Sequence, residues 1–104
     1  MSTIDTIKNQ IAEYPVLLYM KGTADAPECG FSRAAVYALK GANIDFAYVN
    51  VLAAPFIRER LPQVSNWPTF PQLFINGELI GGSDVVCEMV ENGALQKLFT
   101  ETVE

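Results

Sequence analysis

The spacing of apolar residues changes several times along this chain, and each change marks an element. Ile4, Ile7 and Ile11 recur at helical spacing behind Ser2 and Thr3, two good N-cap types, and Pro15 marks the end of that helix. Val16 to Met20 is a short apolar run of strand length, followed by a loop containing Gly22 and Pro27. Phe31 to Leu39, with Ala34, Ala35, Ala38 and Leu39, predicts a second helix that Gly41 stops. Phe46 to Val51 reads as a second strand, Pro55 suits a first helical turn, and the helix it opens runs through Leu61 until Pro62. Gln72 to Ile75 and Glu78 to Ile80 flank Asn76-Gly77, the strongest short hairpin signal in the chain. After Gly81-Gly82, the Ser83-Asp84 pair is expected to cap a helix reaching about Glu91, and Gly93 separates it from a last helix near Leu95 to Thr100.

A strand-helix-strand unit followed by an antiparallel hairpin predicts an α/β domain built on a mixed four-stranded sheet with helices on both faces. That is the outline of a thioredoxin-like fold. The 104 residues make a single domain, 1–104, without repeat, linker or low-complexity stretch. A formal charge of -5, with seven Lys and Arg scattered along the chain, argues against nucleic acid or an anionic membrane as a partner. The start of the chain carries Asp5, Lys8 and Glu13 among its apolar residues, unlike a signal peptide, and no run reaches the roughly eighteen apolar residues of a membrane span. Two cysteines, Cys29 and Cys87, make no secreted disulfide framework, so a reducing, cytoplasmic setting is expected.

Histidine is absent, which removes Ser-His-Asp and Cys-His catalysis, His-bearing zinc sites and Rieske-type ligation together. Two thiols cannot complete a four-thiolate site within one chain, so metal chemistry here must borrow ligands from outside.

Attention falls on Cys29-Gly30-Phe31-Ser32, which has one cysteine where a C-x-x-C redox motif has two. Cys29 is predicted after the first strand and at the opening of a helix, where exposed N–H groups and the helix dipole favour its thiolate. Phe31 is expected to cover the cysteine or meet a partner, and Ser32 to cap the helix. A serine hydroxyl cannot resolve a mixed disulfide.

Thr69-Phe70-Pro71-Gln72 admits two readings: an ordinary trans proline opening a strand, or a cis proline beside Cys29 that leaves the Phe70 backbone free to pair with an extended peptide. Gly81-Gly82-Ser83-Asp84 is either a plain helix start or a carboxylate site made of unpaired N–H groups, with Asp84 accepting from a ligand ammonium. Lys21 and Arg58 are surface charges by default; with the Gly82-Ser83 turn they could grip ligand carboxylates, Lys21 as a point charge and Arg58 as a fork. Cys87 sits among Val85, Val86, Met89 and Val90, where it reads as core or as a distant resolving thiol.

Taken together, Lys21-Gly22, Cys29-Gly30-Phe31-Ser32, Asn66-Trp67-Pro68-Thr69-Phe70-Pro71-Gln72 and Gly81-Gly82-Ser83-Asp84 resemble the signature set of monothiol, CGFS-type glutaredoxins of the short bacterial kind. The resemblance runs from the first helix to the last. It implies a [2Fe-2S] cluster at a homodimer interface, held by one cysteine of each subunit and two glutathione thiolates. It also implies transfer to apo iron-sulfur acceptor proteins, a role in iron homeostasis, and mixed complexes with BolA-type proteins. Carried over by position, Cys29 is the cluster ligand and redox thiol, while Lys21, Arg58, Phe70, Gly82, Ser83 and Asp84 contact glutathione. Thr69 and Pro71 shape the groove, and Trp67 and Pro68 belong to the loop typical of the class. Some relatives have cysteine at the position of Ser83, so Cys87 does not inherit that residue's role.

The expected function is therefore a glutathione-dependent cluster carrier. The alternative is a monothiol oxidoreductase that removes glutathione from protein mixed disulfides, which is chemically allowed because a second glutathione can attack Cys29's own mixed disulfide. A third reading, a regulatory adaptor, uses the same residues.

Overall fold

A computed structural model describes the backbone of residues 2–103 and the side chains of residues 2–98. Its elements are α1 (Thr3–Glu13), β1 (Val16–Met20), α2 (Gly30–Gly41), β2 (Ala47–Asn50), α3 (Pro55–Ser65), β3 (Gln72–Ile75), β4 (Glu78–Gly81), α4 (Ser83–Glu91) and α5 (Ala94–Val103). The strands form one four-stranded sheet in the order β2-β1-β3-β4. β1 runs parallel to β2 and antiparallel to β3, and β3 pairs antiparallel with β4. This is the thioredoxin-like, mixed-sheet fold expected from the element order.

β1 is buried along its whole length because it is central and covered on both faces. Alternate side chains sort to opposite layers: Val16, Leu18 and Met20 pack with Ala35, Val36 and Leu39 of α2, Val86 of α4 and Leu95 of α5. Leu17 and Tyr19 face the other way, onto Ile7 of α1, Ile57 and Leu61 of α3, and Phe74 of β3. A one-residue slip of β1 would exchange these two sets, so the two cores together fix its register. The register matters for the site because it sets where β1 ends, at Met20, and where Lys21 begins.

The hairpin follows its signal closely: Asn76 and Gly77 have φ of 50° and 83°, the paired left-handed conformation that a two-residue turn needs to match strand twist. The second strand is shorter than expected, Ala47–Asn50 instead of Phe46 to Val51. The third helix is longer. It passes through Pro62 and ends at Ser65, with Asn66 left-handed at φ 57°. Pro62 removes one i to i−4 bond, but the carbonyl it leaves belongs to exposed Arg58, where water can serve, and burial of Ile57 and Leu61 holds the helix together. Among the described residues no helix is long and apolar enough to cross a membrane.

Candidate functional site

Cys29 and every residue expected to contact glutathione or shape its groove line one cleft of about 510 Å³, whereas Ser32 and Cys87 do not. The cleft opens where β1 ends and where α2 and α4 begin.

The first wall is the approach to Cys29. After Met20 the chain doubles back in residues 21–28, with Glu28 N–H bonded to Lys21 C=O at 3.0 Å and Gly22 bridged to Pro27. Gly22 has φ 95°, and a Cβ there would lie 2.6 Å from Ala26 O and 2.7 Å from Glu28 N. Only glycine allows so close an approach. Asn50 anchors the loop from the end of β2, its Oδ1 accepting from Gly22 N–H at 2.9 Å and from Leu52 N–H at 3.0 Å. The return delivers Cys29 to the N-cap position of α2, partly exposed and free of any disulfide.

There its thiol is held below its ordinary pKa, first by the backbone N–H of Ser32. Burial opposes the shift, while the Phe31 N–H, the Lys21 charge and the Ser32 hydroxyl add to it. Ser32 was expected to cap the helix; it does not. It is fully buried, and its Oγ accepts the Lys21 N–H at 3.1 Å, tying the end of β1 to the first turn of α2. The cap position belongs to Cys29; the Ser32 and Phe31 N–H groups act on its sulfur and favour its anion, but without the close geometry of a side-chain cap hydrogen bond. Phe31 stands 65% exposed and lines the cleft.

The second wall is the segment from Trp67 to Pro71. The Phe70-Pro71 bond is cis, not the trans bond of an ordinary strand-opening proline. Pro71 is buried, Thr69 and Pro68 are exposed, and Trp67 and Phe70 are half-buried. Among the described residues the N–H and C=O of Phe70 make no backbone hydrogen bond, so both stay available to a ligand. Gln72 is fully buried, and its Nε2 donates to Trp67 C=O at 2.8 Å and Thr69 C=O at 3.2 Å.

The third wall is the start of α4. The Ser83-Asp84 pair was expected at the cap, but the helix begins at Ser83 and the cap position falls on Gly82, which has no side chain to offer. A Cβ on Gly82 would come within 3.3 Å of both Pro71 O and Trp67 Nε1, so glycine is what lets this helix approach the Pro71 segment so closely. Ser83 is buried beside it and Asp84 is exposed one residue further on. Lys21, half-buried, and Arg58, exposed on α3, bring two positive charges to the same cleft. Lys21, Arg58 and Asp84 take part in no ion pair among the described residues.

Cys87 lies elsewhere. Its Sγ sits 3.7 Å from Ala34 C=O in α2, half-buried between the two helices and outside the cleft lining. Val85 also lines the cleft, although the sequence marks it only as a neighbour of Cys87. The signal that finds it is helical phase: counted from Gly82, the residue three further on shares its face.

A thiol at the start of the helix that follows the central strand, on a β2-β1-β3-β4 mixed sheet, defines a thioredoxin-like domain. Within that class the glutaredoxin family model matches residues 16–80. Glutaredoxin 4 of Escherichia coli K12 is 55% identical over 101 residues, which cover 97% of this chain and 88% of that protein. Glutaredoxin 4 of Buchnera aphidicola is 57% identical over 98 residues, or 94% of this chain and 91% of that one. The solution structure of reduced apo GrxS14 from poplar superposes with a TM-score of 0.82 at 40% identity, covering 98% of this chain and 94% of that one. The chain belongs to the glutaredoxin family, whose members use glutathione, and with Ser32 in place of a second cysteine it is of the monothiol kind.

Proposed function

We propose that this glutaredoxin carries a [2Fe-2S] cluster as cargo, bound between two copies of the chain by Cys29 of each and by the thiolates of two glutathione molecules, and passes it to apo iron-sulfur acceptor proteins. The observation that carries the reading is the state of Cys29: a thiol held below its ordinary pKa at the start of α2, lining a cleft of tripeptide size. Among the described residues no group of three or more His, Cys, Asp or Glu could hold a metal ion. Iron-sulfur clusters take thiolate ligands, commonly four, and a chain that supplies one needs both a second copy and an outside thiol.

The cleft's chemistry suits glutathione. At neutral pH that tripeptide has two carboxylates and one ammonium; besides Cys29 the lining has two cations, Lys21 and Arg58, and one carboxylate, Asp84. Its volume lies within the roughly 300–1,000 Å³ of small-molecule sites. We assign Lys21 and Arg58 to carboxylates, the N–H groups opened by Gly82 and Ser83 to a carboxylate, and Asp84 to the ammonium. The Phe70 backbone pairs with the extended ligand as an added strand would, and Thr69, Pro71, Trp67 and Pro68 shape the groove. Delivery in the cytoplasm, a part in iron homeostasis and mixed complexes with BolA-type proteins follow from the same reading.

The lowered thiol also favours a second reading, monothiol deglutathionylation. The Cys29 thiolate would attack the glutathione sulfur of a protein mixed disulfide, releasing the protein thiolate and forming a Cys29–glutathione disulfide. A second glutathione thiolate would then attack that bond, giving glutathione disulfide and restoring Cys29.

Anaerobic reconstitution with iron, sulfide and glutathione, read by absorption and by mass in solution, separates the two. The carrier gives a coloured dimer that requires glutathione, is lost in Cys29→Ser and persists in Cys87→Ser. A colourless monomer with brisk deglutathionylating turnover overturns the carrier reading.

A further inference from the structure

The cleft's second wall is a run of irregular chain between the left-handed Asn66 and β3, and one buried side chain ties it down. Gln72 is the first residue of β3, paired in register with Tyr19 and fully buried. Both hydrogens of its amide nitrogen go to the wall: one to Trp67 C=O at 2.8 Å, one to Thr69 C=O at 3.2 Å. Its Oε1 is buried without a partner among the described residues. An amide that spends both donors on a loop while its acceptor stays unsatisfied is not there for packing; an apolar side chain of the same length would fill the space without the unpaired oxygen.

Resting on the reading of the cleft as a glutathione site, we infer that Gln72 is a positioning residue for ligand binding. By fixing the Trp67 and Thr69 carbonyls it turns them away from the cleft and leaves the Phe70 N–H and C=O facing the ligand. It touches neither glutathione nor Cys29. Its effect should therefore fall on ligand affinity and not on the reactivity of the thiol, which belongs to the opposite wall.

Trp67 is the sole tryptophan of the chain and sits inside the clamped segment, so its emission reports the clamp directly, without any ligand. Gln72→Met keeps the length and loses both donors. The expected result is a red-shifted, more readily quenched Trp67 emission and a glutathione affinity weakened about tenfold by calorimetry, with the thermal midpoint and the pH profile of Cys29 alkylation retained. Gln72→Glu supplies a second signature. Its carboxyl can donate one hydrogen bond when protonated and none when ionised, so glutathione affinity relative to the unaltered protein should fall as pH rises through the titration of that carboxyl.

Unchanged emission in both folded variants overturns the clamp, and so does shifted emission with unchanged affinity. Loss of affinity together with a displaced Cys29 profile also overturns it, because Gln72 would then act on the whole site. Absence of glutathione binding by the unaltered protein instead overturns the reading of the cleft, and is seen in calorimetry regardless of what Trp67 reports.

Discussion

Three helices begin in different ways, and the difference separates support from function. At the start of α1, Ser2 caps the helix with its own side chain: Oγ accepts the Asp5 N–H at 3.1 Å, and Asp5 adds a negative charge to the first turn. At the starts of α2 and α4 the same position holds Cys29 and Gly82, and neither makes a side-chain cap bond. In α1 the helix's own cap residue meets a first-turn N–H; α2 and α4 open at the cleft without such a cap, and α3, which starts after Ala54 with Pro55 in its first turn, lacks one too, so it is the missing cap together with the cleft that marks the two starts. In α2 the first N–H groups favour the anionic form of the helix's own cap residue, while in α4 they remain for an anion that arrives from outside.

The sharpest way to break this contrast is to give α4 the cap that α1 has. Gly82→Asp places a carboxylate where the proposed ligand carboxylate belongs, with a Cβ that must be accommodated 3.3 Å from Pro71 O and Trp67 Nε1. Glutathione affinity should drop by about tenfold or more, roughly 1.4 kcal/mol. The gain from capping offsets the crowding, so thermal stability should stay within about 1 kcal/mol. Calorimetric titration beside a melting curve measures both. An unaltered affinity would remove the N-terminus of α4 from the ligand site.

The converse substitution is Ser2→Ala, which takes the cap from the helix that serves no ligand. It should cost about 1 kcal/mol of stability, a fall of roughly 4–8 °C in the melting midpoint for a domain of this size. Glutathione affinity should not change. A weakened affinity with α1 uncapped would mean that the three starts are coupled through the fold, and the distinction drawn between them would fail.

These starts also show which features of the fold are legible in the sequence alone. Features carried by neighbouring residues were legible: the apolar run of β1, the Asn76-Gly77 turn, and a helix opening at Cys29. Features that depend on distant partners were not. Ser32 looks like a cap in sequence, but its hydroxyl is claimed by the Lys21 N–H eleven residues away, on a strand that only the folded sheet brings alongside. Gln72 reads as an ordinary polar residue at a strand start, since its two bonds depend on the path of the segment from Trp67 to Thr69. Pro62 looks like a stop because its missing N–H is local, whereas the burial of Ile57 and Leu61 that outweighs it is not. The residues of the candidate site were named from motifs, but their convergence on one cleft is a product of topology: they come from the ends of β1, α2, α3 and α4 and from the segment before β3.

The finest test concerns the thiolate at the start of α2, and its sign can be worked out. The folded state lowers the pKa of Cys29, chiefly through the Ser32 backbone N–H. Between the folded and unfolded titrations the unfolded chain therefore binds the extra proton, and stability rises with pH across that window. The contribution is complete above the unfolded pKa and is lost as pH falls through the folded one. Ser32→Ala removes the hydroxyl, the smallest of the favourable causes, and keeps the backbone N–H, the largest. The midpoint of Cys29 ionisation, followed by thiolate absorbance against a Cys29→Ser control, should move upward but stay below that of the unfolded chain. A midpoint that rises all the way to the unfolded value would mean that the side chain of residue 32 sets the thiolate, and that α2 owes its anion to one hydroxyl and not to its open N-terminus. A midpoint that does not move would assign Ser32 to the Lys21 tether alone.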